Sequence, residues 1–205
     1  MEPFTILKSR AVAVLLDDID TDMLFPAQFC KTLETTGLGK YLFARDRYPE
    51  YNPNAAEFPL NKPEHAGAGI LIAGRNFGCG SSREHAVWAL RDYGFRCVLA
   101  ESFSDILYAN CFKNGMLPVV LPRETIEALA RVTETAPQTE FTVDLFGQTV
   151  AAGSLGPFPF SIEPHRRRML LEGLDEVGLT LAQSEAIEAF EKRHFSEAPW
   201  LIPAR

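Results

Sequence analysis

Along the first half of the chain, apolar residues gather in short runs, and most runs are followed by a stretch in which they recur at helical spacing. "AVAVLL" (Ala11–Leu16), "AGILIAG" (Ala68–Gly74), "FRCVLA" (Phe95–Ala100) and "LPVVLP" (Leu117–Pro122) are bounded by polar, glycine or proline positions, a pattern that predicts buried strands. Between them, Ser82–Tyr93 sets Ala86, Leu90 and Tyr93 on one stripe and stops at Gly94, while Ser104–Asn114 stops at Gly115. Both read as helices closed by a C-terminal glycine. Short strands alternating with helices predict a parallel α/β sheet.

Past Pro122 the pattern changes. "RETIEALARVTE" is an amphipathic helix, and "EFTVDLFGQTVAAG" alternates Phe141, Val143 and Leu145 before Gly147, which predicts a β-hairpin. From His165 to Phe195 the chain reads as mostly helical, broken near Gly178, giving a helical tail over about 164–197. The stretch from about 45 to 69 is polar, carries Pro49, Pro53, Pro59 and Pro63, and has no period. It reads as an ordered excursion over the surface rather than a boundary. A single domain over 1–205 is the simplest organisation.

Composition narrows the class. With 205 residues, 46% of them hydrophobic, the chain can bury a sizeable core. A net charge of −7 argues against a general nucleic-acid binder, which needs a broad basic surface. The one basic cluster, His165–Arg168, opens a helical pattern and reads as a solvated face. No apolar segment approaches the ~20 residues a membrane span needs, and the N-terminus has no basic-then-apolar leader pattern. A cytoplasmic protein with no membrane partner is the expectation. The four cysteines, Cys30, Cys79, Cys97 and Cys111, form no CxxC pair and have no histidine at zinc-ligand spacing, so no metal site is expected in this chain. Cys97 and Cys111 lie in apolar patterns and read as buried thiols.

The chemistry concentrates in "GRNFGCGSSREHA", Gly74–Ala86. Ser81 and Glu84 fit a capping box, so the bland reading is a turn and a capped helix. Three features point instead to an anion site. Glycines let backbone amides approach a ligand, the helix start carries partial positive charge, and Arg83 falls where a cation opposes the dipole unless an anion compensates it. A small carboxylate fits better than a nucleotide phosphate, because the loop lacks the lysine of a P-loop and the Rossmann spacing. A serine beside an arginine and a helix start also has its alkoxide stabilised, as a base or nucleophile requires. A thiol at a helix start, Cys79, has a lowered pKa in general; here packing or substrate contact reads better than redox chemistry.

These residues carry a resemblance. "GCGSSREHA" resembles the signature of the swivelling domain of the aconitase superfamily, and "NFGCGSSREHAVWALRDYGF" is similar to the small subunits of 3-isopropylmalate dehydratase. "DDIDTDMLFPAQF", "GLGKYLF", "SFSDILYANCFKNGMLPV" and "GLDEVGLTL" follow in that family's order, so the likeness covers nearly the whole chain. The resemblance implies a three-layer β/β/α fold with a mostly parallel sheet, a β-hairpin and a helical tail. It implies a hydro-lyase that interconverts 2- and 3-isopropylmalate in leucine biosynthesis, active only with a large subunit that carries a 4Fe–4S cluster. Carried onto matching positions, Ser81 is the base, Ser82 and Arg83 hold a carboxylate beside Gly80, and Asp22 orients the site. His85 remains a packed helix residue. Leu38 and Tyr41, in "TGLGKYLF", fall at the family's specificity loop, where apolar groups suit a branched alkyl substituent, although the same residues could anchor the loop. A citraconate, methylmalate or homoaconitase-type subunit, a noncatalytic carboxylate-binding module and a thiol sensor stay open alternatives.

Overall fold

One extended segment feeds two different sheets. In the computed structural model, which describes residues 1–31, 34, 36–80 and 83–201, β1 (Ile6–Ser9) and β2 (Ala11–Val14) are separated only by Arg10. Two short helices follow, α1 (Thr21–Leu24) and α2 (Ala44–Arg47). Then come β3 (Ile70–Ala73), α3 (Glu84–Tyr93), β4 (Cys97–Ala100), α4 (Asp105–Lys113) and β5 (Leu117–Val120). The chain continues through α5 (Arg123–Thr135) into β6 (Phe141–Asp144), β7 (Thr149–Ala152) and β8 (Leu155–Pro159). It ends in α6 (Pro164–Glu172), α7 (Glu176–Leu181) and α8 (Ser184–Glu197).

β2, β3, β4 and β5 form an all-parallel sheet in sequence order, with Ala11 opposite Ile70, Ile70 opposite Cys97, and Cys97 opposite Leu117. The helices α3 and α4 are the crossovers that parallel neighbours require. The predicted hairpin is present as β6 and β7, and it belongs to a separate antiparallel sheet ordered β1-β6-β7-β8. β1 escaped the sequence reading because "ILKS" is short, polar in part and only half covered.

The period-2 geometry of the parallel strands sorts their side chains into two cores. Leu71, Ala73, Val98 and Ala100 share one with Ala86, Val87 and Leu90 of α3 and with Leu107 and Cys111 of α4. Ile70, Ile72, Cys97 and Leu99 share the other with Ile126 and Leu129 of α5 and with Phe141, Val143 and Val150 of the antiparallel sheet. A helical layer, the parallel sheet and the antiparallel sheet therefore stack as β/β/α. A strand covered on both faces reads as a continuous apolar run, which is why these strands were visible in the sequence.

Between α2 and β3 the chain runs through three 3-10 turns, Ala55–Glu57, Pro59–Asn61 and Pro63–His65. Asn61 ties them down by donating to the carbonyls of Arg47 (2.6 Å) and Ala55 (2.8 Å), and the Tyr93 hydroxyl donates to Leu60 O at 3.0 Å. In the tail, Gly178 is inside α7 rather than at a break. The interruptions fall at Gly173, where φ is +66°, and at Ala182–Gln183. Asp175 caps α7 through the Gly178 amide at 2.6 Å, so that glycine serves the helix start.

Candidate functional site

The loops leaving the carboxyl ends of β2, β3 and β4 converge at one end of the parallel sheet, where ligands of open α/β sheets bind. Beyond the regular strands, isolated parallel bridges join Asp20 to Cys79 and Phe77 to Phe103. The Gly78 amide donates to Ile19 O at 2.7 Å, and the Thr21 amide donates to Cys79 O at 2.9 Å. Ser104 caps α4 through the Leu107 amide, and its hydroxyl donates to Gly78 O at 2.5 Å. The glycine loop is thus clamped between the loops on either side. Gly78 and Gly80 hold φ of +76° and +87°, the left-handed region that favours glycine. A Cβ on Gly78 would lie 2.5 Å from Leu107 Cδ1, so this backbone presses directly against the helical core. The clamp encloses a pocket of about 210 Å³ whose walls include Thr21, Gly78, Gly80, Arg83, Ser104 and Leu107.

Arg83 reaches this pocket from a different position than the sequence indicated. α3 starts at Glu84 and Arg83 is its N-cap, in extended backbone, with no side-chain capping bond. Glu84 therefore opens the helix, and the Ser81 half of the expected capping box lies outside the described residues. The dipole conflict expected of Arg83 is answered within the chain: its Nη1 donates to Asp22 Oδ1 at 2.7 Å and to Phe25 O at 3.4 Å. Asp22 is aimed by α1, whose N-cap Asp20 accepts from the Met23 amide at 2.7 Å. Asp22 Oδ1 also accepts from the Ala27 amide at 2.9 Å, and Oδ2 accepts from Arg45 Nη1 at 2.7 Å. The bond from Arg83, then that from Ala27, holds the Asp22 carboxyl below its ordinary pKa, and the same bond to Asp22 raises that of Arg83. Arg45 escaped the sequence reading, since a lone arginine in a polar stretch has no distinguishing pattern. Ser81 and Ser82 lie outside the described residues.

The specificity-loop residues divide. Leu38 is 2% exposed and belongs to the core cluster with Leu42 and Phe43, so as folded it anchors its segment. Tyr41 is partly buried, stacks on Phe29 at 4.2 Å between centroids, and meets Phe25 edge-on at 5.9 Å. Phe25 stacks in turn on His85 at 5.6 Å, which connects these rings to the residue after Glu84.

Other sequence candidates have structural roles. The Cys79 thiol has its pKa raised, by burial first and then by the charges of Asp20 and Asp18; this reverses the lowering expected of a helix-start thiol. Cys97 and Cys111 are buried, and burial alone pushes Cys111 up to about 12. In the acidic loop, Asp17 accepts from the Arg75 amide at 2.9 Å and Asp18 accepts from Asn76 Nδ2 at 2.7 Å. In the basic cluster, Arg166 pairs with Glu163 at 2.9 Å, Arg167 donates to Phe146 O at 2.9 Å, and Arg168 pairs with Glu172 at 2.8 Å. Among the described residues no group of three His, Cys, Asp or Glu is placed to hold a metal ion, and no helix is long and apolar enough to cross a membrane.

Comparison with known proteins gives a consistent set of relatives. The profile of the aconitase C-terminal domain matches residues 1–124, and that of the C-terminal domain of 3-isopropylmalate dehydratase small subunits matches residues 176–204. The 3-isopropylmalate dehydratase small subunit of Rhodospirillum centenum is 48% identical over 202 residues, covering 98% of this chain and 100% of the relative. That of Paramagnetospirillum magneticum is 47% identical over 201 residues, with the same coverage. Among solved structures, the 3-isopropylmalate dehydratase (leuD) of Methanocaldococcus jannaschii superposes with a TM-score of 0.64 at 26% identity, covering 91% of this chain and 99% of that one.

Proposed function

The chain belongs to the family of 3-isopropylmalate dehydratase small subunits, and on that premise we propose that it supplies the proton-abstracting and carboxylate-holding half of a hydro-lyase of leucine biosynthesis. The reaction removes water from 2-isopropylmalate and adds it back to give 3-isopropylmalate. The single observation that carries the assignment of roles is Arg83, held against Asp22 at the wall of the pocket formed by the glycine loop.

Abstracting a proton from the carbon beside a carboxylate spreads extra negative charge onto that carboxylate. A fixed cation and amide donors stabilise this charge when they are in place before the reaction starts. The bonds of Arg83 to described residues leave from Nη1, and Nε with Nη2 forms the edge offered to a substrate carboxylate as a planar fork. Gly80, at φ +87°, lets backbone approach the same ligand, and Ser82 adds a hydroxyl. We assign Ser81, two positions before Arg83 in the sequence, as the base; an alkoxide in that role needs a nearby cation to favour it. Asp22 fixes the direction of Arg83, and Arg45 shares the charge of that carboxylate. We assign the partly buried Tyr41, edge-on to Phe25, to contact with the isopropyl group.

The partner is the large subunit, and the family's 4Fe–4S cluster belongs there. The donors of this chain do not fit such a group: Cys97 and Cys111 are buried, the Cys79 thiol donates to Asp18 O at 3.4 Å, and no three ligands converge among the described residues. No step of this chain is therefore routed through iron. In the complex co-expressed with its large subunit, Ser81→Ala should lower kcat by roughly 10²–10⁴, the span for loss of a general base, with assembly unchanged by size-exclusion chromatography. Near-normal turnover in that variant would remove the base assignment. Tight binding of isopropylmalate by the isolated small subunit, by calorimetry, would favour a noncatalytic binding module instead.

A further inference from the structure

Asp22 is a three-way junction. Its carboxylate joins α1 to Arg83 of the glycine loop at 2.7 Å, to the Ala27 amide at 2.9 Å and to Arg45 of α2 at 2.7 Å. The Arg45 contact is built into the fold. Phe43, two residues earlier, is fully buried with φ +50°, and its amide donates to Leu24 O at 3.0 Å, which fastens the start of α2 to the end of α1. Arg47, two residues later, donates to Leu42 O at 3.1 Å and lies over the Tyr93 ring at 4.7 Å. Arg45 is thus carried on a segment anchored on both sides, while its own side chain is 53% exposed.

From this juxtaposition we infer that Arg45 is a positioning residue for the carboxylate site, acting on Arg83 through the second oxygen of Asp22. Without Arg45, Arg83 and the Ala27 amide both hold Oδ1 of Asp22, and Oδ2 has no ion-pair partner among the described residues. Arg45 pins the second oxygen, so Arg83 keeps one direction. It also offsets the charge of Asp22, so that Arg83 shares that carboxylate with a second cation. This inference rests on Arg83 being the residue that holds the substrate carboxylate.

The experiment uses the two-subunit enzyme and initial rates with isopropylmalate. Arg45→Ala should raise KM roughly three- to fivefold, the scale of one partly exposed ion pair, with kcat within about twofold. Arg45→Lys should restore most of the loss, because the contact is a single point-charge bond. Arg45→Gln, which keeps the stem, should match the alanine variant and excludes a folding defect as the cause. In an Asp22→Asn background the effect of Arg45→Ala should vanish, since the path runs through that carboxylate. A KM unchanged by Arg45→Ala while Arg83→Lys raises it would overturn the inference and leave the role of Arg83 intact. An equal rise in both backgrounds would overturn it too. If Arg83→Lys leaves kcat/KM unchanged in an active enzyme, the reading of Arg83 itself fails.

Discussion

Replacing Gly78 by alanine tests whether the glycine loop is shaped by packing against α4 or only by backbone freedom. Gly78 has φ of +76°, and an added Cβ would stand 2.5 Å from Leu107 Cδ1 and 2.8 Å from Leu107 Cβ. Leu107 is 3% exposed and part of the helical core, and its Cβ, fixed by α4, would have to shift along with its methyl groups. Left-handed backbone costs an ordinary residue about 1–2 kcal/mol, and overpacking a closed core adds about 1–3 kcal/mol. The expected loss is about 2–5 kcal/mol, or roughly 5–15 °C in Tm for a chain of this size. Gly80 supplies the internal comparison. Its φ is +87°, yet among the described residues the nearest atom to an added Cβ is Asp20 Cβ at 3.6 Å, so Gly80→Ala should lose only the backbone part, about 1–2 kcal/mol. Denaturant unfolding of both variants, followed by circular dichroism, measures the difference. Equal losses would refute the claim that the loop is pressed against α4, and a Gly78→Ala loss below about 0.5 kcal/mol would refute the strain argument as well.

Further expectations follow from the same contacts. The Asp22 carboxyl is held below its ordinary value of 3.8 by Arg83 and the Ala27 amide, so its contribution to stability is complete above that value and is lost as pH falls through the lower folded one. Asp22→Asn should therefore flatten the acid limb of a stability–pH curve, and an unchanged limb would contradict the pairing. Ser104→Ala removes both the α4 cap and the bond to Gly78 O, and should cost about 1–2 kcal/mol by urea titration. In the folded chain, Ellman's reagent should leave Cys97 and Cys111 unmodified until denaturant is added, because both are fully buried; rapid labelling of either would show that the sheet–helix core opens. Arg83→Lys, in the two-subunit enzyme, should reduce kcat/KM by roughly 10²-fold, as expected when a planar donor pair at developing charge becomes a single point.

Much of the fold was legible because its signals are local. β3, β4 and β5 are buried on both faces, which writes them as unbroken apolar runs, and α3 ends where Gly94 takes a φ of +118°. The glycine loop could likewise be identified as a place for unusual backbone, since positive φ at Gly78 and Gly80 is a property of those residues and their turn. Only the tertiary structure decided what surrounds that loop. Asp22 and Arg83 are 61 positions apart, and no period connects them; they meet because β2 and β3 are parallel neighbours that deliver their following loops to the same end of the sheet. Arg45 joins them through a buried phenylalanine in left-handed backbone, a feature with no sequence signature. The same holds for Leu38, whose apolar character was plain while its direction was not. Which face of an apolar residue is covered depends on the element packed against it, here the core shared with α3. Alternation and turn chemistry are set by neighbours in the chain, whereas charge pairing and burial are set by strand order and layer stacking, which short-range pattern does not encode.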